Sequence, residues 1–362
     1  MKAKQRVFIT DCEGPISKND NAFELASRFI PHGDRLFALI SRYDDVLADI
    51  VKKPRYKAGD TLRLILPFLK AYGATDKEMK AYSSENMLLV PGADETLRFV
   101  RGIMPAFIVS TSYEHYISAL CDAISFPKEN AYCTKVNIDK YALGKGEVER
   151  LKTLREEIAH LQMIEIPKAA KSLSALPAES QVTVRRLDGI FWDEIPQMKS
   201  GRMLKEVNPV GGYEKANTVK EIIAKLGVGL PEAMYVGDSI TDVEPFRLVR
   251  NGGGLTVSFN GNRYAIREAE IAVLSHHTVA VSILAEIFNK FGKEHVIHTA
   301  ENGIPPSPGG LCSSALLDKL AMLSKEKAPL VEKITPHNME RLTQESSAFR
   351  KTVRGEAIGK LG

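Results

Sequence analysis

The chain is poor in the residues that would mark several common protein classes. Its 362 residues include four cysteines and one tryptophan. Cys12, Cys121, Cys133 and Cys312 show no Cys-x-x-Cys spacing, which excludes the metal and redox motifs built on it. Buried, reduced thiols and a cytoplasmic setting are expected instead. No apolar run approaches the length of a membrane span. Met1 to Arg6 leads straight into a short strand, so no signal peptide is expected. Charge of one sign is also scarce: the net charge is +4, and no basic tract could follow a phosphate backbone. Nucleic acid and membrane are therefore not expected partners. Neither a Gly-x-Gly-x-x-Gly fingerprint nor a P-loop is present, although Gly252-Gly-Gly254 opens a strand. His276-His277 and His295-x-x-His298 lack a third ligand at metal-site spacing.

The chain does contain apolar strands that end in acids. Val7-Phe-Ile-Thr10 runs into Asp11-Cys-Glu13, and Gly14-Pro15 then breaks the strand. Two carboxylates on one tight turn repel each other unless something binds there. A hard divalent cation such as Mg²⁺ relieves that repulsion through oxygen ligands. A second strand, Ala233–Gly237, ends in Asp238, with Asp242 four residues on, and Gly237 permits the sharp turn. Asp238 thus falls at the carboxyl end of a strand, where open α/β sheets bind ligands. A third strand, from Pro105 to Ser112, ends in the hydroxyls of Ser110, Thr111 and Ser112. Lys215 opens a helix ahead of Asp238, with Lys220 as a rival on the same helix.

These four segments, in this order, resemble the motifs of the haloacid dehalogenase-like superfamily, chiefly its Mg²⁺-dependent phosphatases. The resemblance covers roughly residues 5–290. It implies an α/β fold: a Rossmann-like parallel sheet with an inserted helical cap and a second helical insertion. It also implies roles. Asp11 would be the nucleophile and carry an aspartyl-phosphate. Glu13 would protonate the leaving oxygen and then deprotonate the attacking water. Ser110, with Thr111 as its neighbour, would bind phosphoryl oxygens, and Lys215 would neutralise charge on that group. Asp11, the Glu13 carbonyl and Asp238 would hold Mg²⁺, and Asp242 would hold a metal-bound water or orient Lys215. The chain departs from the pattern twice. Glu13 stands where the family usually has Asp, as in the similar enolase-phosphatases. Pro15 replaces the usual Thr and removes a donor from the turn.

The domain organisation expected is a core of residues 1–17, 90–134 and 209–298, a helical cap over 18–89, a helical insertion over 135–208 and a C-terminal extension over 299–362. In the cap, Asn19-Asp20 can cap a first helix, helical spacing runs through Asp34–Val51 and Asp60–Tyr72, and Thr75-x-x-Glu78 looks like a capping box. In the insertion, Val148 to Ile164 marks a long amphipathic helix, and Leu187 to Met198 marks another segment with Trp192. Residues 300–312 read as a Pro/Gly linker, with helix-like patches at 315–323 and 339–349.

A helical cap at this position resembles that of phosphoserine phosphatases, and such lids favour small phosphorylated metabolites. The arginine that those enzymes aim at a carboxylate falls at Ile65. Asp20 is a candidate for meeting an amine, and Arg55, Tyr56, Lys57 and Arg63 are candidates for gripping an acidic substrate. The activity expected is Mg²⁺-dependent hydrolysis of a small phosphomonoester. A phosphotransferase or mutase on the same site is the first alternative. The second is a non-catalytic accessory subunit, since the whole chain looks similar to archaeal proteins of this fold labelled subunit R of an energy-converting hydrogenase. The insertion is also a candidate homodimer arm.

Overall fold

The computed structural model describes residues 5–304 and 310–361. Seven strands form one sheet: β1 (Val7–Thr10), β2 (Ala106–Tyr113), β3 (Ala131–Thr134), β4 (Ala233–Gly237), β5 (Leu255–Phe259), β6 (Ile271–Leu274) and β7 (Leu330–Lys333). Their order is β3-β2-β1-β4-β5-β6-β7. The first six are mutually parallel and β7 runs antiparallel along β6. The fold is thus α/β, as expected. Strands β1, β4, β5 and β6 are buried along their whole length. Continuous apolar runs of this kind suit a parallel sheet covered on both faces.

Central β1 pairs with β2 on one side and β4 on the other, with Ile9 opposite both Phe107 and Tyr235. The chain moves outward from β1 in one direction and returns to build the other half. The carboxyl end of β1 is therefore the crevice where the strand order reverses, the ligand site of doubly wound sheets. One face of the sheet packs Phe8, Ile108 and Val236 under the Ala93–Ile103 and Val279–Phe291 helices. The other packs Ile9, Val109 and Tyr235 against the Tyr213–Leu226 and Val243–Asn251 helices.

The cap helices lie near their expected positions. Asp20 caps Asn21–Phe29 by accepting the Phe23 amide at 3.0 Å. Gly33–Asp45 continues as one π-helical stretch through Ile50. Thr61–Ala71 is followed by Gly73 at φ +86°, and Thr75 caps Asp76–Glu85 through the Glu78 amide. The insertion supplies helices Lys145–His160 and Ala178–Asp188, a π-helical stretch from Gly189 to Glu194 and a short 3₁₀ turn. Leu36, Ile40 and Phe68 of the cap share one apolar core with Leu154, Ile158 and Phe191 of the insertion. Tyr43 stacks on Phe191 and accepts a hydrogen bond from the Trp192 indole at 2.7 Å.

The C-terminal region departs from its sequence reading in two ways. Residues 300–302 belong to the Lys293–Asn302 helix instead of a linker, whose residues 305–309 lie outside the described residues, as do residues 1–4 of the expected leader-free start. Both helix-like patches are helices, Ser314–Lys327 and Met339–Arg354, but a strand stands between them. β7 has only four residues and a mixed composition, Leu-Val-Glu-Lys, so no run or alternation signals it. It forms because β6 would otherwise leave an open sheet edge. Among the described residues, no helix is long and apolar enough to cross a membrane.

Candidate active site

Asp11 follows β1 directly, and its amide extends the ladder by donating to the Val236 carbonyl at 2.8 Å. The turn beyond it is closed by the Ile16 and Ser17 amides, both donating to the Cys12 carbonyl, and by the Gly14 amide donating to Ser17. Pro15 withdraws no donor that this turn uses. Gly14 sits at φ +108°, and a Cβ there would lie 2.2 Å from an Asp238 carboxylate oxygen. The glycine is what lets the two strand ends approach.

Four charged side chains converge here. Lys215, in the first turn of its helix, is fully buried. Its Nζ lies 2.6 Å from Asp11 Oδ2 and 2.8 Å from Asp242 Oδ1. Burial alone would lower the lysine pKa, but the two carboxylates outweigh it and hold the ammonium above its ordinary value. Lys220, its rival, is exposed. Asp242 also accepts the Tyr235 hydroxyl at 2.7 Å, the Asp238 amide at 2.9 Å and the Ser239 amide at 3.0 Å. Those four bonds use the lone-pair directions of a carboxylate, so Asp242 is built to orient Lys215. Burial tends to raise its pKa, and Lys215 with these donors brings it below the usual range. Asp11 is pushed the other way, first by burial and then by Asp242 and Asp238 against the pull of Lys215.

Carboxylate oxygens of Asp11, Asp238 and Asp242 lie within 4.8 Å of one another, all three residues buried. Hard oxygen donors crowded with so much negative charge fit Mg²⁺. Asp11 and Asp238 would hold it, with Asp238 giving up part of its pairing with Arg350 and Arg354. No histidine belongs to a possible metal cluster among the described residues. His277 instead accepts the Val279 amide through Nδ1.

Glu13 accepts the Asn21 amide at 2.7 Å. Enclosure away from solvent, followed by the nearby Asp20 carboxylate, holds the Glu13 carboxyl well above the usual range. A carboxylic acid in that state can donate to a leaving oxygen. Asp11, Glu13, Asp20, Thr111 and Asp238 line one cavity of about 640 Å³, open mouth included. Thr111 reaches this cavity with a buried hydroxyl that has no partner among the described residues. Ser110 does not line it. Its Oγ accepts the Ser112 amide at 3.2 Å, and β2 runs on past it to Tyr113.

A solvated basic face is the preferred sequence reading of the four candidates for gripping an acidic substrate. Arg55 is exposed, and the others are engaged within the cap or with the return segment. Lys57 pairs with Asp60 at 3.2 Å and with Asn208 at 2.6 Å, Arg63 pairs with Asp60, and Tyr56 donates to Asp44 at 2.6 Å. They tie the cap to itself and to the return segment, and Ile65 is buried in the cap core. Two arginines that the sequence reading passed over line the cavity instead. Arg350 and Arg354, on the Met339–Arg354 helix, both donate to Asp238 Oδ2. Arg354 also donates to the Lys18 and Asn19 carbonyls just beyond the Asp11 turn. A signal was present: Leu342, Ser346, Arg350 and Arg354 recur every four residues and form the buried stripe of that helix. Two arginines continuing an apolar stripe point inward.

A solved gene product of Archaeoglobus fulgidus superposes on this chain with a TM-score of 0.81 and 26% identity, over 99% of both chains. It shares the whole architecture, tail included. A phosphoserine phosphatase in its apo form matches with a TM-score of 0.47 and 12% identity, over 77% of this chain and 98% of the other. A HAD-family hydrolase from Salmonella enterica serovar Typhi matches at 0.43 and 11%, over 76% and 67%. No family model and no curated protein matches the sequence. Three of the four motif segments meet at the carboxyl ends of β1 and β4, where Lys215 reaches Asp11.

Proposed function

We propose that the protein is a phosphatase that hydrolyses a small phosphomonoester through an aspartyl-phosphate on Asp11. The observation that carries this reading is the buried Asp11–Lys215–Asp242 triad, with Glu13 two residues from the nucleophile on the same turn. An Asp11 oxygen attacks phosphorus as the bond to the leaving oxygen breaks, and Glu13 gives that oxygen its proton. Glu13 then takes a proton from water, which attacks the phosphoryl group and returns Asp11 as a carboxylate. Lys215 offsets charge on Asp11 and on the transferring group, and Asp242 keeps Lys215 in place. Mg²⁺ held by Asp11 and Asp238 would supply electrostatic stabilisation of the phosphoryl oxygens. Thr111 offers its hydroxyl from the cavity wall. The cap closes over the cavity with Phe37, Ser41 and Leu62, which favours a small metabolite over a macromolecule.

The test is phosphate release from a panel of small phosphomonoesters with Mg²⁺, run beside Asp11→Asn. Release that requires Mg²⁺ and disappears in the variant supports the phosphatase. Transfer to an added alcohol in place of water would identify a phosphotransferase. No reaction from a folded, Mg²⁺-binding protein would sink the catalytic reading and favour an accessory role.

A further inference from the structure

Arg350 enters the site from a helix that lies outside the four motif segments. It is buried, lines the cavity that holds Asp11 and Glu13, and donates through Nη1 to Asp238 Oδ2. Its Nε–H is buried and has no partner among the described residues. Arg354 differs, because its Nε and both Nη groups are engaged by Lys18, Asp238 and Asn19. The helix that carries both is fixed to the core by Ser346, which donates to the Gly261 carbonyl at 2.6 Å. Arg350 is thus a rigidly presented guanidinium with a donor to offer, beside the nucleophile.

The charges in the network define what that donor is for. Asp11, Asp238 and Asp242 form ion pairs with Lys215, Arg350 and Arg354. Three carboxylates are thereby matched by three cations. Asp20 lines the same cavity, caps the Asn21–Phe29 helix and also feels the two guanidiniums. A divalent cation and a phosphoryl dianion entering together add no net charge to this network. A guanidinium also fits phosphoryl oxygens in a fork that ammonium cannot reproduce.

Resting on the phosphatase reading, we infer that Arg350 is a catalytic residue that contacts the transferring phosphoryl group. It shifts part of its hydrogen bonding from Asp238 to a phosphoryl oxygen when substrate and cation bind together. Removing its charge makes the site one unit more negative, which favours a metal cation and opposes a phosphate. The two affinities should therefore move in opposite directions.

Calorimetric titration of the full chain with Mg²⁺ alone, and with inorganic phosphate in the presence of Mg²⁺, tests this in wild type, Arg350→Met and Arg350→Lys. The expected result for Arg350→Met is Mg²⁺ binding at least threefold tighter and phosphate binding at least tenfold weaker. Arg350→Lys, which keeps the charge and loses the fork, should weaken phosphate severalfold with Mg²⁺ nearly unchanged, and it serves if Arg350→Met does not fold. Phosphate binding at wild-type strength in either folded variant would overturn the role of Arg350 and leave the phosphatase reading intact. A wild-type protein that binds neither Mg²⁺ nor phosphate would overturn both.

Discussion

A buried lysine stays charged only where carboxylates surround it, and Lys215 has two within 2.8 Å. Lys215→Ala should reduce turnover about a thousandfold by removing a preorganised cation. It should also cost about 3–5 kcal/mol of stability, because Asp11 and Asp242 lose their buried partner. Urea unfolding beside a turnover assay measures both effects, and Lys220→Ala should change neither. Asp44, in the cap, titrates in the opposite sense to a paired acid. Burial, and then the nearby Asp60, hold its carboxyl up at about 8, although it accepts the Tyr56 hydroxyl and the Gly59 amide. The folded protein therefore keeps a proton that the unfolded chain releases near pH 4. The stability from this group is complete below that pH and is lost as pH rises towards 8. Asp44→Asn should flatten the fall by up to about 1.4 kcal/mol per pH unit, read from melting curves between pH 5 and 8.

At the scale of elements, the turn after β1 carries a sharp prediction. Gly14→Ala places a methyl group against Asp238 and strains a left-handed residue, so the β1 and β4 ends must separate. Activity should fall at least a hundredfold, with weaker Mg²⁺ binding in calorimetry, while the far-ultraviolet dichroism stays near wild type. The parallel strands and cap helices were legible in the sequence because their signals are local. Val7–Thr10 and Ala233–Gly237 are unbroken apolar runs, and Thr75 and Asp20 cap helices with their own side chains. Asp11, Glu13, Lys215, Asp238 and Asp242 could be placed together because each sits at the end of such an element. β7 was not legible, since its four residues are strand only by virtue of the β6 edge beside them. The spacing of Arg350 and Arg354 marked them as buried, but their target is an acid more than a hundred residues away and was not legible.

At the scale of the whole molecule, the chain closes on itself. The insertion shares a core with the cap, and the tail joins the sheet and then the site. Lys168 of the insertion pairs with Glu340 of the tail helix at 2.9 Å, and Arg42 of the cap donates to the Lys360 carbonyl at 3.2 Å. Leu342 anchors the tail helix against Ile266, Ala272 and Leu274. Leu342→Ala should cost about 2–5 kcal/mol. If the tail docks as one unit, most of that loss should appear as local opening, visible as faster hydrogen exchange across residues 339–354 with the remaining sheet still protected.

Arg354 reaches back 335 residues to the Asn19 carbonyl. Contacts this distant along the chain close late in folding. During synthesis, β1 leaves the ribosome long before the guanidinium that neighbours the turn after it in space. The sheet and cap can therefore be assembled on a nascent chain whose reaction centre is still unfinished. On the phosphatase reading, turnover waits until the helix that carries Arg350 and Arg354 has docked.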